Sequence, residues 1–396
     1  MNNDSLTQYQ RLFDVIKKAL WNIGSPSADE EIYHEMRLQA IASLAGPVLT
    51  ELGLSQELYT AWEKDSINAF VRYQRYIRAQ SALPITVPYV ILKGTSAARY
   101  YPYPEYRMMG DVDIMTSHED YQAACEMLLL NGYEEHTNAV DQYLNRHRGF
   151  KKNNLLIEVH SFYGLRDDKD ETKALDDYII DNISPTHVLP DLVNGLTLIE
   201  HVNHHMESGL GLRQILDWMM FVHRSLSDEQ WPEFEKMARK TGHVQLAKVV
   251  TRMCEIYLGL SEHEFSSQVD PGLCTDLMEY ILSCGNFGRK KGADSQISEF
   301  LLSTPTIKAK IITLKQRGVM TWKAAQKYPF LRPVAWIYQA FRYLRLGLKR
   351  SNPLKKFTAE IRASRRSNKL MDAIGVAREK KGRVTYWNGE YVNNKH

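Results

Sequence analysis

Asp111-Val112-Asp113 sets two carboxylates two residues apart in a short run of strand-forming residues from Asp111 to Met115. Side chains on a strand alternate faces, so Asp111 and Asp113 share one face while Val112 and Ile114 take the other. Neighbouring carboxylates repel, and one pKa rises unless a cation lies between them. A divalent metal answers that conflict, because Mg²⁺ takes oxygen ligands from one or two carboxylates together with substrate phosphates. Leu155 to His160, LLIEVH, repeats the pattern with Glu158 and His160 on one face. If the two strands are neighbours, three carboxylates can hold two metals roughly 3.5–4 Å apart, the arrangement for in-line displacement at phosphorus.

A second set of residues suits an anion. Val87 to Leu92 is apolar and rich in strand formers, and Lys93-Gly94-Thr95-Ser96 follows it before Ala97-Ala98-Arg99-Tyr100. The pattern predicts strand, tight turn and helix start, with Thr95 or Ser96 as N-cap. Glycine there lets backbone N–H groups approach a phosphate, and the helix start adds partial positive charge. Thr95 and Ser96 add hydroxyls, and Lys93 or Arg107 adds a full charge. Each part has a plainer alternative. Asp-x-Asp alone also marks a solvated strand face, Lys93 a surface lysine at a strand end, and Arg107 a partner for Glu105 or for a carboxylate of the site.

Taken together, Gly94-Thr95, Asp111-Val112-Asp113 and Glu158 resemble the DNA-polymerase-beta-like nucleotidyltransferase superfamily. The stretch LKGTSAARYYPYPEYRMMGDVDIM is similar to one branch, the bacterial uncharacterised nucleotidyltransferase family. That branch has a Leu-Lys-Gly turn, a Tyr-Pro loop, Arg-x-x-Gly-Asp-x-Asp, an acid-x-His strand and a helical C-terminal part, to which His201–Asp217 corresponds. The resemblance spans roughly residues 35–260. It implies transfer of an NMP from an NTP to a hydroxyl-bearing acceptor, with Asp111, Asp113 and Glu158 as catalytic metal ligands. Lys93, Gly94, Thr95, Ser96 and Arg107 would bind the nucleotide, ATP among the candidates, with Mg²⁺ (or Mn²⁺) as cofactor. Thr95 stands where Ser is commoner, the Tyr-Pro loop lengthens the gap from Gly94 to Asp111, and the third acid is Glu instead of Asp.

These groups need a scaffold. The periodicity predicts an α+β protein: an N-terminal helical region (1–85), a nucleotidyltransferase core on a small mixed sheet (86–190), a C-terminal helical domain (191–306) and a basic amphipathic tail (307–396). Helices are expected near 192–206, 209–226, 230–240 and 243–259, with another over Asp120–Asn131. His160 can be a metal neighbour, a base or a hydrogen-bonded core histidine. His201, His204 and His205 lack the carboxylate of a zinc-protease motif and suit packing or substrate contact near the cleft, His205 as an accessory group. Arg213 and Asp217, four apart, read as an intrahelical ion pair.

The composition, 44% hydrophobic and 24% charged over 396 residues, is that of a folded globular chain. Cys125, Cys254, Cys274 and Cys284 show no disulfide or zinc spacing and suit a reducing compartment. With no signal peptide and no apolar run of membrane-span length, the chain is expected to be cytoplasmic. The net charge of +3 conceals a split: residues 308–396 hold 22 Lys and Arg against four acids, and residues 1–307 hold 28 against 43. Val334, Ile337, Phe341, Leu344 and Leu348 form one stripe, ringed by Arg342, Arg345, Lys349 and Arg350 with Trp336 and Tyr338 nearby. Such a helix can lie on an anionic membrane surface at the inner face, dock on the protein's own core, or bind nucleic acid. The stretch 362–383 is expected to be partly helical and loosely held. The expected partners are an NTP and an acceptor that is a protein, a sugar, a small molecule or RNA. The alternative is a non-catalytic nucleotide-binding or membrane- or nucleic-acid-associated adaptor of the same fold.

Overall fold

The computed structural model describes residues 6–137, 147–164 and 169–290, and beyond them 311, 314–315, 317–319, 321–348, 362, 365–376, 384–387 and 390–393. It is an α+β protein with a five-stranded mixed sheet and helices around it. The strands are β1 (Tyr89–Leu92), β2 (Val112–Thr116), β3 (Glu134–Glu135), β4 (His147–Lys152) and β5 (Leu155–His160), in the order β1-β2-β5-β4-β3. β2 and β5 run parallel, and the other pairings are antiparallel. Asn153 and Asn154 both take left-handed backbone, φ 51° and 58°, as a two-residue turn joining β4 to β5 requires.

The alternation expected of the strands sets two different faces. Val112 and Ile114 of β2 join Ile157 and Val159 of β5 in an apolar cluster with Ala124, Cys125 and Leu128 of α5 (Tyr121–Leu130). Each such aliphatic side chain contributes about 1.5–3 kcal/mol by leaving water, which makes a one-residue slip of either strand costly. Tyr76 of α3 (Gln56–Ser81) packs in the same cluster. The opposite face looks towards the helices of a second, larger cluster, which takes in Leu92, Met115 and Tyr163.

That larger cluster joins the two ends of the chain. Leu12, Phe13 and Ile16 of α1 (Gln10–Trp21) and Met36 of α2 (Glu30–Leu38) lie in one core with the helices beyond residue 190. α6 spans Lys169–Ile180, α7 Asp191–Ser208, α8 Leu212–Ser225, α9 Trp231–Lys240, α10 Val244–Leu258 and α11 Pro271–Cys284. The four helices expected between 192 and 259 are therefore α7 to α10, with ends within a few residues. Every residue from Leu212 to Val222 of α8 is buried, so this helix is central and has no solvated face. All four cysteines are buried and free. Among the described residues no helix is long and apolar enough to cross a membrane.

In the basic C-terminal part, α12 (Lys323–Lys327) and α13 (Ala335–Leu348) are helical. α13 buries Ala335, Gln339 and Tyr343, while Val334, Ile337, Phe341 and Leu344 are exposed. Thr321 donates to Gln339 Oε1 at 2.7 Å and Arg317 to the Tyr343 hydroxyl at 3.3 Å. The helix thus packs locally through its small and polar face and leaves the expected stripe uncovered. The stretch 365–373 is helical as expected, but Leu370, Met371, Ile374 and Val376 are buried in the larger cluster, so this part is not loosely held; the Leu348 side chain, Lys349, Arg350, 363–364 and 377–383 lie outside the described residues.

Candidate functional site

Parallel pairing brings the acids together. β2 and β5 register Asp113 against Glu158 and Met115 against His160, while Asp111 directly precedes β2. One carboxylate oxygen from each of Asp111, Asp113 and Glu158 lies within 4.8 Å of the other two. They line a cleft of about 370 Å³ between the sheet and the end of α7 that leads into the start of α8, together with Lys93, Gly94, Arg107, His160 and His205.

Local structure fixes the approach to Asp111. On α3, Arg72 donates to the Met109 carbonyl at 3.0 Å and Tyr76 to the Gly110 carbonyl at 2.5 Å. Ser43 donates to the Tyr106 carbonyl at 2.6 Å. The loop after Tyr101 is therefore tied to the N-terminal helical part, outside the sheet that carries the acids.

The charges at the centre are unbalanced. Asp113 is fully buried and receives Lys93 Nζ at 2.7 Å and His160 Nε2 at 2.9 Å on the same oxygen. Burial alone would raise its pKa, but Lys93 and the His160 hydrogen bond hold it well below the usual carboxylate range. An ionised Asp113 can only accept, so His160 donates from Nε2. Burial drives His160 down to about 4 against the pull of Asp113, which leaves the ring neutral near pH 7. Asp111 is raised by the charge of Asp113 and then by burial. Glu158 is pushed up to about 8 by burial and by the charges of Asp113 and Asp111. The cluster thus ionises one carboxylate fully and resists ionising the other two, which is the state a cation relieves.

The glycine turn lies beside this cluster. Lys93 takes φ 47°, Gly94 takes φ 40°, and a Cβ on Gly94 would stand 3.6 Å from the Asp111 carbonyl oxygen. The helix α4 (Gly94–Ala98) starts two or three residues earlier than expected, with Lys93 at the cap position. Neither Thr95 nor Ser96 caps it. Thr95 donates to Gln80 Oε1 at 2.8 Å and Ser96 to Asn194 Oδ1 at 2.8 Å, so both hydroxyls tie the turn to α3 and α7. Burial lowers the Lys93 pKa less than Asp113, Tyr163, Asp111 and Glu158 raise it, so the ammonium stays charged.

Arg107 is buried and locked to Asp217 by two short bonds, Nε to Oδ1 at 2.7 Å and Nη2 to Oδ2 at 2.6 Å. Tyr101 donates to the same carboxylate at 2.9 Å. Asp217 is thus the partner of Arg107. The intrahelical Arg213–Asp217 ion pair expected from the spacing is not formed among the described residues, because the fork of Arg107 meets the carboxylate first and matches it bidentately.

Several groups of the cleft were not read from the sequence. His147 of β4 faces Glu158, Nε2 to Oε2 3.6 Å, and its ring centroid is 4.8 Å from that of His160. His147, Glu158 and His160 form a second potential metal-ligand group sharing Glu158 with the first. Counting back from the Asn153-Asn154 turn would have found His147, since the hairpin pairs it with His160. Tyr163, Arg213 and Phe287 complete the wall with His201 and His204. His205 Nε2 is 3.0 Å from His201 Nε2. Burial drives His205 down to about 3 and His201 well below its usual value, so these two rings are neutral near pH 7.

Residues 26–259 match the family model described as uncharacterised nucleotidyltransferase. No curated protein and no solved structure matches the chain.

Proposed function

The chain belongs to the uncharacterised nucleotidyltransferase family, and from that premise we propose that it moves an NMP from an NTP to a hydroxyl-bearing acceptor with release of pyrophosphate. The observation that carries this reading is the convergence of Asp111, Asp113 and Glu158 beside the Gly94 turn.

The donor set suits a divalent ion such as Mg²⁺ or Mn²⁺: three carboxylates, two of them reluctant to ionise without a cation. Held by Asp111, Asp113 and Glu158, such an ion would neutralise the triphosphate and orient it for in-line attack. His160 orients Asp113 through its Nε2–H, the carboxylate–imidazole support that metal sites use. Lys93, charged and paired with Asp113, fixes that carboxylate beside the place a phosphate chain would take. Gly94 keeps the turn close to Asp111, and Thr95 and Ser96 brace that turn from behind. Arg107 holds the Arg-x-x-Gly-Asp approach in place through Asp217. The neutral His205 wall lets an acceptor hydroxyl approach without adding charge. Most of the catalysis in this scheme is positioning and charge neutralisation.

The test is incubation of the protein with each α-labelled NTP, ATP first, and a cell extract as the source of a protein, sugar, small-molecule or RNA acceptor. The expected result is a labelled acceptor and pyrophosphate, both lost in Asp113→Asn at unchanged fold. Undiminished labelling by Asp113→Asn would overturn the assignment. Tight NTP binding without pyrophosphate on long incubation would leave nucleotide binding without turnover.

A second reading concerns the tail and belongs with cytoplasmic placement at an inner membrane face. The uncovered stripe of Val334, Ile337, Phe341 and Leu344 beside Arg342 and Arg345 supports contact with an anionic lipid surface.

A further inference from the structure

Among the described residues, three cations line the cleft: Lys93, Arg107 and Arg213. Lys93 is engaged by Asp113 at 2.7 Å, and Arg107 by Asp217 through its bidentate fork. Arg213 has no such partner. It is only 9% exposed, makes no hydrogen bond or ion pair among the described residues, and its Nε is buried without a partner. A guanidinium keeps its charge in a protein, so burying one without an anion is costly unless something supplies the anion.

The surroundings hold Arg213 in place, and Asp217 and Asp111 attract its charge from nearby without bonding it. Its guanidinium carbon lies 5.3 Å from the centroid of the Phe287 ring, and Nη1 is 3.8 Å from where a Cβ on Gly110 would stand. The side chain therefore reaches the Gly110-Asp111 approach from the opposite wall. It also sits in the first turn of α8, whose N-terminus adds partial positive charge. Phe287 is brought there by backbone packing. A Cβ on Gly209 would fall 2.2 Å from Gly288 N, and one on Gly211 would fall 2.7 Å from Asn286 Cα. Phe287 itself takes left-handed backbone, φ 54°, a conformation kept where surrounding structure enforces it. It also lies beyond the segment matched by the family model.

We propose that Arg213, propped by Phe287, is the receptor for the phosphate chain of the nucleotide, supplying from the helical wall the charge that Lys93 and Arg107 have committed elsewhere. This rests on the nucleotide reading above, but its test does not depend on turnover. Binding of tripolyphosphate, an NTP and the corresponding nucleoside is measured by calorimetry, with and without Mg²⁺, for the wild type, Arg213→Met and Arg213→Lys. Tripolyphosphate and NTP affinities should fall at least about tenfold in Arg213→Met, with nucleoside affinity unchanged and part of the loss restored by lysine. The metal-free Arg213→Met protein should melt no lower than the wild type, because an unpaired buried charge has been removed. Unchanged tripolyphosphate affinity in Arg213→Met would overturn the proposal, and so would an equal loss for nucleoside and triphosphate. A lower melting temperature with unaltered affinity would mark Arg213 as structural. If wild-type protein binds tripolyphosphate through Arg213 but labels no acceptor, the transfer reading fails and the phosphate receptor stands.

Discussion

Binding of a divalent cation should release close to one proton from Glu158 near neutral pH. This carboxyl is pushed up to about 8 by burial and by the charges of Asp113 and Asp111. At pH 7 a group with that pKa is about 0.9 protonated, and at pH 9 about 0.1, so the proton count on ligation should fall by roughly 0.8 between the two. Asp113 and His160 add nothing, since Asp113 is already ionised and His160, at about 4, already neutral. Calorimetric titration with Mn²⁺ in buffers of different ionisation enthalpy reads the number directly. The slope of observed enthalpy against buffer enthalpy should be near one proton at pH 7, should shrink at pH 9, and should largely vanish in Glu158→Gln. A zero slope at pH 7, or an unchanged slope in Glu158→Gln, would refute the electrostatic account of the three carboxylates.

Three further outcomes follow from particular contacts. Asp217→Ala leaves Arg107 buried without its counter-charge and should cost about 3–5 kcal/mol in denaturant unfolding, whereas an effect below about 1 kcal/mol would show that water replaces the pair. Glu158, at about 8, and Asp176, raised by burial to about 7 despite accepting the Tyr163 and Gly164 amides, hold protons more tightly folded than unfolded. Their contribution is full below the ordinary carboxylate range and is lost as pH rises towards 8, so melting temperature in chelator should fall from pH 5 to pH 8. Asp176→Asn should flatten that fall; a steeper one would contradict the sign. Serine at both Phe341 and Leu344 should reduce co-sedimentation with vesicles containing anionic phospholipid by tenfold or more, with no effect on neutral vesicles; equal binding of the variant would dismiss the membrane reading.

The acids were legible because alternation is a local property. Val112 and Ile114 opposite Asp113, and Ile157 and Val159 opposite Glu158, disclose both strands and their buried faces from the residues alone. The helices from Asp191 to Leu258 were legible for the same reason, since three- and four-residue spacing needs no knowledge of partners. β4 was not, because HRGFKK carries charge on both faces and is held by its pairing with β5 more than by its own pattern. With it went His147. The cap of α4 was misplaced because Lys93 adopts a positive φ, which its residue type does not advertise. The partner of Asp217 was also out of reach: spacing on one helix proposed Arg213, while the fold delivered Arg107 from over a hundred residues away. That exchange is what leaves Arg213 facing the cleft. Of the tail stripe, Val334, Ile337, Phe341 and Leu344 stand exposed, because the local packing uses Ala335, Gln339 and Tyr343 instead, which spacing alone does not reveal.

The central claim is that Asp111, Asp113 and Glu158 together hold the metal that a triphosphate uses. Anomalous scattering from crystals grown with Mn²⁺ and a non-hydrolysable NTP analogue tests it directly. The account predicts a manganese peak within bonding distance, about 2.0–2.3 Å, of oxygens from all three carboxylates and from the phosphate chain. A peak bound elsewhere, or phosphates seated in the cleft with no metal among those carboxylates, would contradict it.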